Sequence, residues 1–224
     1  MELYTRLNSA VKIVMKRWEK TMLQFIAPDK PIRTTEEFLH DLDVDEWSCE
    51  MKLDGYRMTS SKQNGIITNR SRHNEILKVD DAIIEYLDGL LENDSEIDTE
   101  WINHSRIKTI NTTLHVNLPL VECVGVHDVT WLNGKYLGNL KLTDRRNCDL
   151  FKKIPEVKID NILDNLKVFK IPMLSSGTLI DFYNMQKDFK ISEGIVIKKR
   201  NSKLIGNKSQ SAKNPLWYKI KYRN

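Results

Sequence analysis

The sequence of 224 residues is poor in cysteine and has no long apolar run, no internal repeat and no long low-complexity segment. Its three cysteines, Cys49, Cys123 and Cys148, are odd in number and lack any Cys-x-x-Cys spacing, so neither a disulfide framework nor a zinc site is indicated. No apolar stretch approaches the roughly 18 residues of a membrane span, and residues 1–24 are too charged for a secretory signal. These absences predict a soluble, intracellular protein of a reducing compartment, the cytoplasm or, in a eukaryote, the nucleus.

Acidic residues are concentrated in one stretch, although the formal net charge of the chain is only +4. Residues 79–100 contain nine acidic residues and neither lysine nor arginine. Apolar residues recur there at helical spacing, at Val79, Ile83, Leu87 and Leu90. The pattern predicts a helix whose solvated face carries the acidic side chains.

The C-terminal stretch carries the opposite charge. After Glu193 there is no acidic residue, and there are nine basic ones: Lys198, Lys199, Arg200, Lys203, Lys208, Lys213, Lys219, Lys221 and Arg223. Such a stretch would collect phosphates, either on a nucleotide or along a duplex. A merely solubilising tail is the alternative, but it would not need Trp217 or the alternating Ile220.

The most informative segment is residues 50–57, which read Glu-Met-Lys-Leu-Asp-Gly-Tyr-Arg. Lys-x-Asp-Gly-x-Arg places a lysine nucleophile on one side of a tight turn and a cation on the other. An amine attacks only when neutral, so a site that uses Lys52 must destabilise its ammonium form, and burial with a neighbouring cation such as Arg57 would do so. A surface hairpin is the alternative, because Asp-Gly between β-prone runs is a strong turn signal.

Two further segments follow downstream in the chain. Residues 192–198, Ser-Glu-Gly-Ile-Val-Ile-Lys, predict an acidic-glycine turn that runs into an alternating apolar strand. Residues 217–221, Trp-Tyr-Lys-Ile-Lys, predict a strand on which Lys219 and Lys221 share one face.

Together with Lys52, these segments resemble motifs I, IV and V of the covalent nucleotidyltransferases, the superfamily of ATP-dependent DNA ligases, RNA ligases and mRNA capping enzymes. Residues 97–101 resemble motif III, with Thr99 where the family usually has glycine. Residues 126–135, followed by residues 140–142 and by Arg145-Arg146, resemble motif IIIa and its trailing segment, with His127 in the usual phenylalanine position. The resemblance covers roughly residues 22–222, and its motifs occur in the family's order.

The resemblance implies an ATP-dependent polynucleotide ligase that works through a covalent intermediate. Lys52 would attack the α-phosphate of ATP and become lysyl-AMP. The AMP would then move to the 5′-phosphate of a nicked strand, and the 3′-hydroxyl would displace it. Each step is phosphoryl transfer, in which positioning and charge neutralisation supply most of the acceleration.

Roles for the nucleotide contacts follow from the same resemblance. Glu50 matches the residue near the adenine amino group, and His127 the ring against adenine, unless His127 is simply a hydrogen-bonded core histidine. Arg57 and Arg70 would hold the nucleotide and the incoming 5′-phosphate. Arg72 is the alternative to Arg70, because the register of residues 68–72 is ambiguous.

The remaining roles concern metal and phosphate. Glu100 would approach the ribose or a metal, and Glu193 would orient Mg²⁺, or Mn²⁺ in its place, because hard carboxylate oxygens suit such ions. Lys219 and Lys221 would neutralise the α-phosphate. Lys213 matches a basic position that precedes motif V in many DNA ligases and has a secondary role.

The sequence predicts an α+β fold. By resemblance the fold consists of two antiparallel β-sheets flanked by helices, an ATP-grasp-like nucleotidyltransferase domain with the nucleotide cleft between the sheets. Residues 2–24 have helical spacing and predict an N-terminal amphipathic helix packed on the domain, so that residues 1–24 precede a nucleotidyltransferase domain over 25–224.

Within that domain, Thr34 and Glu37 predict a capping box for a short helix through Leu42. Strands are predicted at 47–53, 56–62, 65–69, 97–102 and 116–126, before the terminal strands. Helices are predicted near 79–91, from Thr143 toward Lys153, and over 177–186, and residues 201–214 predict a mobile basic loop.

DNA ligases and capping enzymes of the superfamily usually continue after motif V into an OB-fold domain, for which residues 222–224 leave no room. The sequence agrees with a truncated ligase, with one part of a split ligase whose OB-fold domain is a partner chain, or with a ligase that works without this domain.

Three functions agree with the motifs. A DNA ligase acting on nicked duplex DNA in repair, replication or recombination is favoured by the Trp-x-Lys-x-Lys segment and by residues 133–135 followed by Arg145-Arg146. An RNA ligase or capping-type nucleotidyltransferase shares the lysine motif and the paired lysines. An inactive nucleic-acid-binding subunit would keep the fold and the basic stretch, but it would have little reason to keep Lys52, Glu193 and the paired lysines together.

Overall fold

The computed structural model describes residues 23–157, 167–206 and 211–222. The described residues form an α+β fold with two β-sheets, as the sequence predicts. The strands are β1 Lys30–Arg33, β2 Trp47–Leu53, β3 Tyr56–Gln63, β4 Ile66–Ser71, β5 Ser95–Ile102, β6 Cys123–Leu132, β7 Lys135–Tyr136, β8 Val168–Lys170, β9 Ser192–Lys199 and β10 Lys213–Lys221. The helices are α1 Asp81–Leu90, α2 His104–Leu114, α3 Leu142–Arg146, α4 Asp149–Lys153 and α5 Leu179–Gln186, with a 3-10 helix at Glu36–Asp41.

The smaller sheet contains four strands in the order β1, β10, β9, β2. Strand β9 is central and pairs antiparallel with β2 on one side and with β10 on the other. Strand β1 adds to β10 in the parallel direction, so the sheet is not antiparallel throughout. Both lysine-bearing strands, β2 and β10, therefore flank the strand that begins with the acidic-glycine turn.

The larger sheet runs in the order β4, β3, β5, β6, β7, and β8 pairs in parallel with β6. The connection after β8 also hydrogen-bonds to β2, because Met51 N–H donates to the Pro172 carbonyl at 2.9 Å and Leu174 N–H donates to the Cys49 carbonyl at 2.9 Å. Strand β2 is thus held by both sheets, and its side chains lie where the sheets meet.

Three apolar clusters form the core. One packs helix α1 on the larger sheet, around Ile83, Leu87 and Ile97. The second, with Met51, Leu53 and Phe169 among its members, fills the space between the sheets, and the third packs helix α5 on the smaller sheet. Burial of these side chains supplies the main driving force for the fold.

Several predicted element boundaries are wrong. The predicted capping box does not form, because the cap of the 3-10 helix is Thr35 and its side chain makes no cap hydrogen bond. The strand predicted at 116–126 is Cys123–Leu132, and the unpredicted helix α2 precedes it. The helix predicted from Thr143 is interrupted and forms the two short helices α3 and α4. The N-terminal helix predicted over 2–24 falls on residues outside the described ranges, except for residues 23 and 24, which are not helical.

The acidic stretch is only partly a solvated helix face. Helix α1 buries Ile83 and Leu87 and exposes its acidic residues, as predicted. Strand β5 then buries all of its residues, including Glu96, Asp98 and Glu100. Sequence periodicity cannot separate these two halves, because charged side chains in a buried strand are recognised only once their partners are known. Within the described residues, no helix is both long enough and apolar enough to cross a membrane.

Glu96 is an unusual buried acid. Its carboxylate accepts a hydrogen bond from Thr130 Oγ1 at 2.7 Å. Burial raises the pKa of Glu96 to about 7, with a further contribution from Asp98, against the lowering effect of the Thr130 hydroxyl. Because the folded state favours the protonated form, the stabilisation from Glu96 is complete below the ordinary pKa of 4.5 and is lost as the pH rises toward 7.

We predict that Glu96→Gln removes this pH dependence. The amide keeps an acceptor oxygen for Thr130 and carries no charge, so the variant should be more stable than the parent above pH 7, by roughly 2 to 3 kcal/mol. Urea unfolding at several pH values between 4.5 and 8 measures the effect. The surface variant Glu85→Gln should keep the parent's slope of stability against pH, and the same slope in Glu96→Gln would contradict the prediction.

Candidate functional site

A cleft of about 710 Å³ opens between the two sheets. Of the predicted nucleophile, nucleotide and metal contacts, those that line it are Glu50, Lys52, Arg57, Arg72, Glu100, His127, Glu193, Lys219 and Lys221. They come from six strands and one loop, spread between residues 50 and 221 of the chain. The fold therefore brings into one cavity nearly all of the side chains that the motifs predict to act together.

Strand β2 supplies the cleft with two residues of opposite charge. Its alternation directs Cys49, Met51 and Leu53 into the apolar clusters. The alternate positions, Glu50 and Lys52, line the cleft. The spacing of charged residues in this motif thus follows from the two-residue repeat of a strand.

Glu193 lies between two lysines. Its Oε1 contacts Lys52 Nζ, and its Oε2 contacts Lys221 Nζ. Burial opposes the charge on Glu193, but Lys52 and Lys221 outweigh it and lower the pKa of this carboxyl below its usual value. The group is therefore a carboxylate shared by lysines from both neighbouring strands.

An irregularity in β9 makes this contact geometrically feasible. Lys52 pairs with Gly194, but the next residue, Leu53, pairs with Ser192, so Glu193 is an extra residue in β9. A bulge of this kind re-aims a side chain. Gly194 is required beside it, because a Cβ at this position would lie 1.9 Å from the Ile220 carbonyl oxygen of β10.

The third lysine of this group is Lys219. It lines the cleft beside Lys52 and Lys221. Partial burial lowers the pKa of Lys219, and repulsion from Lys52 and Lys221 lowers it further. At this end of the cleft the described residues Lys52, Lys219 and Lys221 lie around the carboxylate of Glu193, and this group has an excess of positive charge suited to phosphate groups.

The other end of the cleft is organised around Glu50. Its fully buried carboxylate makes ion pairs with Lys198 Nζ and Arg146 Nη2, and its Oε1 lies 3.2 Å from His127 Nδ1. Burial alone would raise the pKa of Glu50, but Lys198, Arg146 and His127 hold it well below its usual value. Conversely, burial lowers the pKa of Lys198 to about 8 despite the attraction of Glu50. Lys198 is thus a buried partner of Glu50 and not a free phosphate ligand, which corrects its place in the predicted basic stretch.

His127 lies between two acidic residues. Its Nδ1 faces Glu50, and its Nε2 lies 3.6 Å from Glu100 Oε2, beyond hydrogen-bonding distance. Among the described residues, Nε2 has no hydrogen-bond partner although it is buried. Among the described residues His127 is therefore not a fully hydrogen-bonded core histidine, and its stacking against a base stays a prediction.

Arg57 is anchored from behind by Asp98. The guanidinium makes a two-pronged contact with the Asp98 carboxylate through Nε and Nη2. Burial opposes the charge of Arg57, but Asp98 and, more weakly, Glu100 raise its pKa. A fixed guanidinium of this kind presents its remaining donors at the cleft wall in one orientation.

The turn after Lys52 is held by Arg106 of helix α2. Arg106 Nη2 contacts the Asp54 carboxylate, and Nε donates to the Asp54 carbonyl at 3.2 Å. Gly55 completes the turn, because a Cβ there would lie 2.6 Å from the Trp101 carbonyl oxygen. The hairpin alternative for this segment is wrong, because β2 pairs in the smaller sheet and β3 in the larger one, so the turn connects the two sheets.

The two candidate arginines after β4 have different positions. Arg72 lines the cleft and donates from Nε to His73 Nε2 at 3.0 Å. Arg70 is not among the lining residues within the described part of the chain, and its Nη1 donates to Asn74 Oδ1 at 3.1 Å. The geometry therefore favours Arg72 over Arg70 as a contact for a ligand in the cleft.

Three residues of the site, Arg146, Asp98 and Arg106, had no assigned role in the sequence analysis, and Lys198 had a different one. Arg146 and Lys198 neutralise Glu50, Asp98 holds Arg57, and Arg106 holds the turn. The sequence analysis had noted Arg145-Arg146 as part of a motif, but the two side chains have different partners. Arg145 is fully buried against Asp128, and Arg146 makes the ion pair with Glu50. Among the described residues, no three His, Cys, Asp or Glu side chains come together as a metal site.

Comparison with known proteins gives one family match and several structures with a similar fold. The family described as ATP dependent DNA ligase domain matches residues 29–221. The ligase domain of LigD from M. tuberculosis has 21% sequence identity and a TM-score of 0.58, and the match covers 88% of this chain and 59% of that one. Mycobacterial DNA ligase D complexed with ATP and MES has 19% identity and a TM-score of 0.57, with coverage of 89% and 61%.

A third similar structure is the Chlorella virus DNA ligase-adenylate, with 19% identity, a TM-score of 0.51, and coverage of 88% of this chain and 69% of that one. At these identities the similarity establishes a shared fold. The chain spans about three fifths of the length of the two mycobacterial structures. No match is found among the curated proteins.

Proposed function

This chain belongs to the family of ATP-dependent DNA ligase domains, and we propose on that basis that it is the adenylation domain of a ligase that seals nicked duplex DNA. Lys52 is the nucleophile. The observation that carries the proposal is the group of three lysines around Glu193, which brings Lys52 together with Lys219 and Lys221 at one end of the cleft.

The first step joins Lys52 to AMP. Neutral Lys52 Nζ attacks the α-phosphorus of ATP, a P–N bond forms, and the bond to pyrophosphate breaks. Lys219 and Lys221 neutralise the charge that develops on the α-phosphate oxygens. Because this cationic end is partly buried, each neutralised contact is worth more than it would be in water.

The later steps reuse the same groups. An oxygen of the 5′-phosphate attacks the phosphorus of lysyl-AMP, and the P–N bond breaks, returning the amine of Lys52. The 3′-hydroxyl then attacks the 5′-phosphate, the phosphodiester forms, and AMP leaves. Arg57, fixed by Asp98, and Arg72 at the cleft wall are the residues that we assign to the nucleotide and the incoming 5′-phosphate.

A divalent cation fits the donors at the phosphate end. Glu193 offers hard carboxylate oxygens there, and Mg²⁺ is commonly held by one or two carboxylates together with substrate phosphates. We assign Mg²⁺, or Mn²⁺, to Glu193 with Glu100 as the second carboxylate. When bound, such an ion neutralises phosphate charge and orients the oxygens. Because the reaction consumes ATP, we place it inside the cell.

We predict that ATP with Mg²⁺ yields a covalent AMP adduct on Lys52. The adduct should be stable to hydroxylamine and labile to acid, as a phosphoramidate is. Labelled ATP and separation under denaturing conditions measure it. Lys52→Arg keeps the charge but offers no free amine, so it should fail as Lys52→Ala does. Labelling of Lys52→Ala at the parent's level would exclude this residue as the nucleophile.

The paired lysines of β10 give a second prediction. Lys219→Ala and Lys221→Ala should each slow adduct formation by roughly 100- to 1000-fold, because one neutralising contact to the reacting phosphate is lost. Single-turnover labelling measures the rate, and thermal unfolding checks the fold. Lys153→Ala, at an exposed site remote from the cleft, is the matched control and should keep the parent's rate. Rates within twofold of the parent in both β10 variants would remove these lysines from the reaction.

The basic groups at the cleft should also make DNA binding depend on salt. Each phosphate contact releases counterions, so the affinity for a nicked duplex should fall as the salt concentration rises. In a plot of the logarithm of the binding constant against the logarithm of the salt concentration, Arg72→Ala should reduce the steepness of the slope by the amount that one phosphate contact contributes, about 0.9. Arg70→Ala should leave the slope unchanged. Titration of labelled nicked duplex at several salt concentrations measures both slopes, and the reverse result would assign the contact to Arg70.

Restoration of sealing by an OB-fold chain added in trans would support a partner chain, which stays a prediction.

A further inference from the structure

We infer that Tyr56 is a DNA-contact residue of the cleft, whose ring packs against the sugar of the nucleotide that carries the 5′-phosphate at a nick. The inference rests on the proposed function, because it takes nicked duplex DNA as the ligand of the cleft. It concerns the binding of the DNA strand and not the reaction of ATP with Lys52.

Tyr56 is a large aromatic residue that is exposed on the wall of a cleft. In the described ranges the exposed aromatic residues are Tyr56, at 48%, and Tyr86, at 37%. Tyr86 lies on helix α1 outside the cleft, whereas Tyr56 lines the cleft. A single exposed apolar residue on a convex surface needs no explanation, but binding clefts are commonly lined by aromatic rings that contact the ligand. The position of Tyr56 therefore points to a ligand.

Trp101 supports one side of the Tyr56 ring. The two residues are directly opposite each other on β3 and β5, and their ring centroids lie 6.4 Å apart at an interplanar angle of 52°. Trp101 is itself buried, and its Nε1 donates to Glu122 Oε2 at 3.2 Å. Tilted contacts between two rings are favourable. The Tyr56 ring is thus held from one side, and its exposed part faces the cleft.

The exposed ring lies near the residues assigned to the 5′-phosphate. Strands β3 and β4 pair as far as Met58 and Ser71, so Tyr56 and Arg72 both lie beyond this pair at one end of the larger sheet. Arg57 follows Tyr56 directly in the chain, and Tyr56, Arg57 and Arg72 all line the cleft. A group bonded to a phosphate that these arginines hold therefore comes next to Tyr56.

In a nicked duplex the group bonded to the 5′-phosphate is a deoxyribose. The bases are stacked inside the duplex and the phosphates are charged, so the sugar is the apolar group beside a phosphate that a protein wall reaches. An aromatic ring packed on this sugar removes apolar surface of both partners from water, and that contribution does not depend on charge. Tyr56 thus holds the sugar while the arginines hold its phosphate.

Substitution of Tyr56 tests the contact through the affinity and its salt dependence. The ligand is a nicked duplex whose 3′ end is a dideoxynucleotide, which cannot be sealed, and ATP and Mg²⁺ are present. Tyr56→Ala should bind it about tenfold more weakly. The slope against salt concentration should stay that of the parent, because no phosphate contact is lost. Tyr56→Phe keeps the ring and should bind as the parent does, and so should the control Tyr86→Ala outside the cleft.

Modified DNA identifies the group that Tyr56 contacts. In one duplex the nucleotide with the 5′-phosphate is replaced by an abasic tetrahydrofuran, which retains a sugar ring, and in a second duplex by a propanediol spacer, which has none. The parent should bind the spacer duplex about tenfold more weakly than the tetrahydrofuran duplex, whereas Tyr56→Ala should bind both about equally. Equal binding of the two duplexes by the parent overturns the inference, because the sugar would then contribute nothing.

The outcomes separate this inference from the proposed function. Formation of lysyl-AMP by the parent, with unchanged nick binding in Tyr56→Ala, overturns only the role of Tyr56. Absence of any adduct in the parent, with the expected loss of nick binding in Tyr56→Ala, overturns the covalent chemistry and leaves the contact supported. A salt slope in Tyr56→Ala that changes as in Arg72→Ala overturns the inference, because phosphate contacts would then have been lost.

Thermal unfolding checks that each variant folds. If Tyr56→Ala does not fold, Tyr56→Gln takes its place in both titrations, because glutamine keeps side-chain bulk against Trp101 but has no ring. Nick binding by Tyr56→Gln at the parent's affinity overturns the inference in the same way.

Discussion

The arrangement of the cleft depends on the contact of one carboxylate, Glu193, with lysines from two different strands. The contact requires Glu193 to be an extra residue in β9, because the bulge re-aims its side chain. It also requires glycine at position 194, because a Cβ there would lie 1.9 Å from the Ile220 carbonyl oxygen of β10. With that carboxylate in place, Lys52 and Lys221 can lie close together despite their like charge. Burial, and then repulsion from Lys52 and Lys221, already lowers the pKa of Lys219, and without the carboxylate that repulsion would act among all three lysines.

The two ends of the cleft differ in their balance of charge. At the lysine end, positive charge exceeds negative charge, and a ligand with phosphates would complete the balance. At the Glu50 end, a buried carboxylate is compensated by Lys198 and Arg146, because an unpaired buried charge would be very costly. Consequently the protein satisfies Glu50 by itself and leaves His127 Nε2 as a polar atom without a partner among the described residues.

Errors in the sequence-based fold share a cause. Charges on helix α1 and charges in strand β5 look alike in the sequence, but the first are solvated and the second are buried beside Arg57 and Thr130. The predicted capping box had suitable residues in Thr34 and Glu37, but the chain enters the 3-10 helix one residue later. Local patterns describe what a segment can form, and packing against distant segments decides which choice is stable.

Short-range spacing was sufficient to predict the Lys-x-Asp-Gly motif, the order of the motifs, the α+β class and the alternation that puts Glu50 and Lys52 on one strand face. The pairing of cations with acids became clear from the folded chain alone: Lys198 pairs with Glu50, Asp98 holds Arg57, and Arg72 reaches the cleft while Arg70 does not. The physical reason is that an ion pair depends on separation in space, and the partners here are up to 148 positions apart in the chain, Glu50 and Lys198. A one-residue bulge, with no distinctive residue type of its own, re-aims the central carboxylate.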